Sequence, residues 1–206
     1  MNRKELKEKA QNSLKGKYKD AIIMMVLMYV ISFAIGAVVG LIGGILNLNE
    51  SMMDLFSSGA SIVLSGLLMF GYTSYFLKIS RNEEVTYNEL FSKTHLLVPY
   101  ILITLLTAVL VFCWSLLFVI PGIIAGISYS LVYFIALDNP ELKTSEVLKK
   151  SKNMMNGHKL DYFILQLSFI GWAILGIFTL GILYLWLIPY MQVTIANFYN
   201  QLKEQN

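Results

Sequence analysis

Two histidines, His95 and His158, one cysteine, Cys113, and a lysine cluster, Lys149, Lys150 and Lys152, are the side chains whose types could do chemistry in this chain. Imidazole and thiolate bind metals or attack carbonyls, but a metal site needs three or four converging ligands. The two histidines lie 63 positions apart, in separate basic segments with no clustered carboxylates, and the cysteine stands alone in an apolar stretch. No G-x-S-x-G, H-E-x-x-H or phosphate-binding loop occurs. The expectation is a protein with no catalytic residues, no metal and no cofactor. The lysines offer another chemistry: ammonium groups beside apolar residues attract lipid phosphates. That makes membrane lipid the expected partner and nucleic acid an unneeded one.

The elements that position these groups follow from composition. Of 206 residues, 56% are apolar and 14% are charged, against about a quarter charged in a soluble domain. About 20 helical residues cross a bilayer. The uncharged blocks predict six spans, at about 21–46, 55–77, 96–119, 121–137, 162–178 and 182–200, in one membrane domain covering 1–206. Residues 1–20 form a basic amphipathic lead-in. The first run is too long for a signal-peptide core and reads as a retained helix. Two of the blocks need internal turns, one at Val119-Ile-Pro-Gly122, with a helix starting at Pro121, and one near Thr179-Leu-Gly181. The fold class is thus all-α and membrane-integral: six transmembrane helices in three hairpins.

Charge sets the orientation. All 16 Lys and Arg residues fall before the first span, between spans two and three, between four and five, or after six. Basic residues stay on the cytoplasmic side, so both termini are expected inside. No Asp, Glu, Lys or Arg lies within a span, which argues against proton relays and voltage sensing.

Local signals add detail. Ser51-Met-Met-Asp54 and Thr86-Tyr-Asn-Glu89 read as capping boxes. Val147, Leu148, Ser151, Met154 and Met155 form one stripe of a helix whose other side carries Lys149, Lys150 and Lys152. That pattern predicts a cytoplasmic interfacial amphipathic helix, its stripe in the acyl boundary and its lysines at the headgroups. Leu6, Ala10 and Leu14 make a thinner stripe near the start.

These segments look duplicated. At a constant offset of 141 positions, Glu5, Lys9, Asn12, Gly16 and Asp20 match Glu146, Lys150, Asn153, Gly157 and Asp161. A glycine elbow between surface helix and span, followed by an aspartate that caps the span, would serve both copies. Convergence of any such unit on similar residues is the competing explanation. Gly36, Gly40 and Gly44, and Gly122 and Gly126, are spaced for close helix approach, either within the bundle or in a homo-oligomer. Gln166, Gln192 and Asn197 suggest hydrogen bonds between the last two spans, or a polar groove.

One run is distinctive: Tyr129-Ser-Leu-Val-Tyr-Phe-Ile-Ala-Leu-Asp138-Asn-Pro, then Glu146-Val-Leu-Lys-Lys-Ser-Lys, Met155-Asn-Gly-His158, Leu167-Ser-Phe-Ile-Gly-Trp172 and Ile188-Pro-Tyr190. It resembles domain-of-unknown-function family 975, polytopic membrane proteins mainly of Gram-positive bacteria. The resemblance implies a bacterial plasma-membrane protein and supplies no substrate or functional residue. The expected function is non-enzymatic, exerted through lipid or a membrane partner, in envelope homeostasis, stress tolerance, or peptide export and immunity. The alternative is a small-solute transporter or channel, working as a dimer.

Overall fold

The long apolar blocks fold as helices because an apolar medium offers the backbone no hydrogen-bond partner but itself. The computed structural model describes residues 2–92 and 96–205, the side chains of 62–67 excepted. Among them are eleven helices: α1 Arg3–Leu14, α2 Tyr18–Ile45, α3 Glu50–Ser80, α4 Glu89–Ser92, α5 Leu97–Leu117, α6 Val119–Ser128, α7 Val132–Asp138, α8 Thr144–Met154, α9 Lys159–Leu167, α10 Ile170–Phe178 and α11 Tyr184–Gln205. No strand occurs among the described residues. Among the described residues, four helical segments are long and apolar enough to cross a membrane: Tyr18–Ile45, Leu97–Leu117, Val119–Asp138 and Lys159–Phe178.

Several predicted boundaries move, each for a local reason. The helix at the first of the two internal turns starts at Val119 rather than Pro121. Phe118, with φ −161° and ψ 156°, makes the corner, and Pro121 sits in the first turn, where its missing N–H costs nothing. The fourth predicted span is broken at Tyr129–Leu131. There Ser128 Oγ donates to the Ile124 carbonyl at 2.7 Å and Ser130 Oγ to that of Ile127 at 2.9 Å. Such back-bonding competes with the helix ladder and bends it. The fifth span starts at Lys159 and is interrupted at Ser168 and Phe169, dividing it into α9 and α10. α3 begins at Glu50, capped by Asn49, whose side chain accepts from the Met52 N–H at 2.9 Å. Ser51 is therefore not the cap. α11 runs on to Gln205, one turn past the predicted end.

The core lies toward one end of the helices. Tyr72, Tyr75, Phe76 and Ile79 of α3, Leu131, Val132, Phe134, Ile135 and Ala136 around α7, and Val193, Ala196, Phe198, Tyr199 and Leu202 of α11 are buried there, together with Ala21, Met24 and Met25 of α2. The opposite halves expose Phe33, Ile45, Leu55, Phe112 and Phe118. Both predicted amphipathic stripes exist but face protein instead of the acyl boundary. Leu6, Ala10 and Leu14 of α1, and Val147, Leu148, Ser151, Met154 and Met155 of α8, are all buried by the chain's own helices. Ser151 Oγ donates to the Ser128 carbonyl at 2.8 Å, tying α8 to the end of α6. Periodicity marks the apolar face; the covering helices decide what fills it.

Gly71 is where α4 docks. A Cβ there would run into the backbone of Leu90 and Glu89, so only glycine lets α4 lie directly on α3.

Candidate functional site

The elbows come first, because they place the cationic helices. Gly16 has φ +80° and Gly157 +81°, both left-handed, a conformation that disfavours any Cβ. The residues that follow them match as well: Lys17 has φ −109° and His158 φ −115°. The 141-residue offset therefore carries over from letters to backbone. Buried positions pair across it: Leu6 with Val147, Ala10 with Ser151, Ser13 with Met154, Leu14 with Met155. Asp20 and Asp161 occupy the first turns of α2 and α9. They do not act as the N-caps; Lys17 and His158 hold those positions without a side-chain bond. Asp20 instead accepts from the Tyr87 hydroxyl at 2.7 Å, and Asp161 Oδ2 lies 3.5 Å from His158 Nδ1. A carboxylate at a helix N-terminus is favoured by the helix dipole in either case.

The lysine cluster divides. Lys150 Nζ donates to Asn139 Oδ1 at 3.0 Å, across to the loop after α7. Lys149 is exposed. Lys152 borders a groove of about 310 Å³ together with Lys159, a residue outside the predicted cluster. The remaining walls are Trp114, Pro121, Ile124, Ala125, Ser128 and Tyr129. Two ammonium groups and a largely apolar wall thus border the same slot. At the N-terminus of α8, Glu146 Oε2 accepts from the Lys143 N–H at 2.8 Å, the glutamate half of a capping box.

A second polar centre escaped sequence reasoning. Asp138, at the end of α7, accepts from Arg81 Nη1 at 2.9 Å and Nη2 at 2.6 Å, from Lys203 Nζ at 2.7 Å and from the Tyr199 hydroxyl at 2.9 Å. Asn200 Oδ1 accepts from Arg81 Nε at 3.2 Å, and its amide donates to Ser80 Oγ at 2.9 Å. The ends of α3, α7 and α11 are thus fastened at one point. The Asp138 bond raises the Arg81 pKa despite burial. Beside this hub opens a polar cleft of about 460 Å³ lined by Lys9, Arg81, Asn197, Asn200, Gln201 and Lys203. The available signal was Asp138 itself, a lone acid closing an apolar helix just before Asn139-Pro140.

Glu89 is a third case. Expected to cap α4, it turns inward to pair with Lys78 and accepts from Ser74 Oγ at 3.2 Å and Ser92 Oγ at 3.0 Å. Burial pushes its carboxyl pKa up, but Lys78 and the two hydroxyls outweigh that and hold it below the ordinary value.

The spaced glycines behave unequally. Gly122 rests against Ser115, whereas Gly36, Gly40, Gly44 and Gly126 have nothing within 4 Å of an added Cβ. Gly36 and Gly40 instead line a gap of about 280 Å³ between α2 and α3. Gln166 donates to the Tyr162 hydroxyl at 3.0 Å within its own helix, and Asn197 to the Leu6 carbonyl at 3.5 Å on α1. These two polar side chains serve packing contacts. Among the described residues, no three His, Cys, Asp or Glu side chains converge; His95 lies outside them.

An all-helical chain with several membrane-length apolar helices, fastened at its cationic end, is a membrane-type protein. The chain belongs to the family described as protein of unknown function DUF975, whose model matches residues 1–125 and 115–206. No curated protein and no solved structure matches it.

Proposed function

We propose that this chain is a non-enzymatic integral protein of a bacterial plasma membrane, acting through anionic lipid. Its three hairpins enter from the cytoplasmic side, where both termini remain. The groove carries the reading: Lys152 and Lys159 stand over apolar walls of Trp114, Pro121 and Ile124. It takes an anionic phospholipid, phosphate at the lysines and one chain along the wall. Envelope homeostasis, stress tolerance, or peptide export and immunity are roles that such a protein fills.

The test is lipid retention by the purified full chain in nanodiscs of phosphatidylglycerol or phosphatidylcholine. Each surface cation contributes about 1 kcal/mol toward anionic lipid. The double variant Lys152→Gln/Lys159→Gln should therefore bind phosphatidylglycerol roughly 30-fold more weakly. Lys149→Gln/Lys150→Gln, with the same charge change, should lose much less. Equal losses in both variants, or a parent indifferent to headgroup charge, would reject the groove.

The second reading is a dimeric small-solute transporter. The elbow repeat, matched in φ at Gly16 and Gly157, favours it, since transporters are often built from repeats. Solute flux through liposomes holding the protein, absent from empty ones, would decide for it.

A further inference from the structure

The last hairpin carries its own depth markers. At its base, Lys7 Nζ of α1 donates to the Ser168 carbonyl at 3.3 Å and sits 4.1 Å from the centre of the Phe169 ring. Phe169 packs edge-on against Tyr190 of α11 at 5.4 Å, and Tyr190 lies beside Tyr18 and Gln11. Residues 169 and 190 are therefore level with the cationic N-terminal segment. Trp172 and Trp186, each about half exposed, follow three residues after Phe169 and four before Tyr190, the pair in ring contact at that base. Half-exposed tryptophans next to a cationic level fit a headgroup boundary.

Little chain remains beyond them. Taken whole, Lys159–Phe178 is long enough to cross, but its break at Ser168 and Phe169 lies at Lys7. Beyond that break α10 has nine residues, which cover about 14 Å at 1.5 Å per residue. The hydrocarbon layer is about 30 Å thick. α2, with 28 residues, covers about 42 Å by the same rise. The tips differ in chemistry too. The α2–α3 turn carries Asn47, Asn49, Glu50 and Ser51, as a water-facing loop does. The α10–α11 turn presents Phe178, Leu180 and Ile182, with Leu180 93% exposed.

That tip satisfies its own polar groups. Thr179 Oγ1 donates to the Gly176 carbonyl at 3.0 Å and accepts from the Leu183 N–H at 3.2 Å. The Gly181 N–H reaches the same Gly176 carbonyl at 2.9 Å. The Tyr184 hydroxyl, which at an outer boundary would seek water, donates inward to the Ala173 carbonyl at 2.7 Å. Hydrocarbon demands such internal pairing.

We propose that the α10–α11 hairpin is re-entrant: it dips into the cytoplasmic leaflet, turns near the bilayer midplane and returns, with acyl chains as the partner of its apolar tip. The leaflet assignment rests on the orientation proposed above; the depth does not.

Single cysteines in a Cys113→Ala background test it in the full chain: Glu50→Cys, Lys150→Cys, Leu180→Cys and Ile182→Cys. A membrane-impermeant maleimide is applied to intact cells and then to permeabilised ones. Expected are labelling of position 50 from outside, labelling of position 150 only after permeabilisation, and less than a tenth of that labelling at 180 and 182 in both conditions. In liposomes, a fluorophore at 180 should be quenched most by phospholipids spin-labelled deep in the chain. Outside labelling at 180 and 182 equal to that at 50 would overturn the half-span. Outside labelling at 150 but not at 50 would overturn the orientation, and with it the leaflet assignment, while deep quenching at 180 would still uphold the depth.

Discussion

Replacing Asp138 by asparagine keeps the side chain's size and removes its charge. The carboxylate is 9% exposed and Arg81 29%, so the pair is largely shielded from water. Removing one partner of a buried pair costs about 3–5 kcal/mol. Arg81 keeps Asn200 as an acceptor, which places the loss near the lower figure. Lys203 is 51% exposed and adds little once solvent screening is counted. The amide would also set an N–H₂ against donors, since either Oδ1 or Oδ2 must become nitrogen and each now accepts from Arg81. A loss of about 3 kcal/mol in a chain of this size lowers Tm by about 6–12 °C. Thermal unfolding of the purified protein in one fixed detergent measures it. Arg81→Met/Asp138→Leu should lose less than its two single changes combined, because neither leaves an orphan charge. An Asp138→Asn protein melting within about 1 °C of the parent would refute the hub as the fastening of α3, α7 and α11.

Gly16→Ala and Gly157→Ala should each destabilise by about 1–2 kcal/mol from left-handed strain alone, because an added Cβ meets open space at both sites. Gly126→Ala, equally open but with no left-handed φ, should be neutral or stabilising; thermal melts of the three variants compare them directly. Ionised Glu89 stabilises above the unfolded-state carboxyl pKa, and that contribution fades as pH falls through its lowered folded value. The stability gap between the parent and Glu89→Gln should thus hold steady from neutral pH down to about 4.5 and narrow below it, as melts across that range would show.

Helicity, the α8 stripe and the glycine elbows were readable in advance because each depends on neighbours within a turn or two. Val147, Leu148, Ser151, Met154 and Met155 had to share a face whatever covered it. That protein covers them was not readable, since lipid and a helix ask for the same residues. The hub was hidden for a different reason: Arg81 and Asp138 meet across 57 positions, and nothing local to either names its partner. The breaks at Tyr129–Leu131 and Ser168–Phe169 were missed because serine is tolerated inside helices and bends them only in some contexts. Glu89 obeyed the capping pattern in spacing and then left it, because Lys78 offered a full charge where the cap offered one N–H.

Since Arg81, Asp138, Lys203 and the stripes of α1 and α8 all gather at one end, the chain is built like a spray of stems tied at the base. Its far ends show large apolar side chains to their surroundings, Phe33, Ile45, Leu55, Phe112 and Phe118 among them. A change that loosens the tie therefore reaches α3, α7 and α11 together, whereas a change at a tip meets only its own hairpin first.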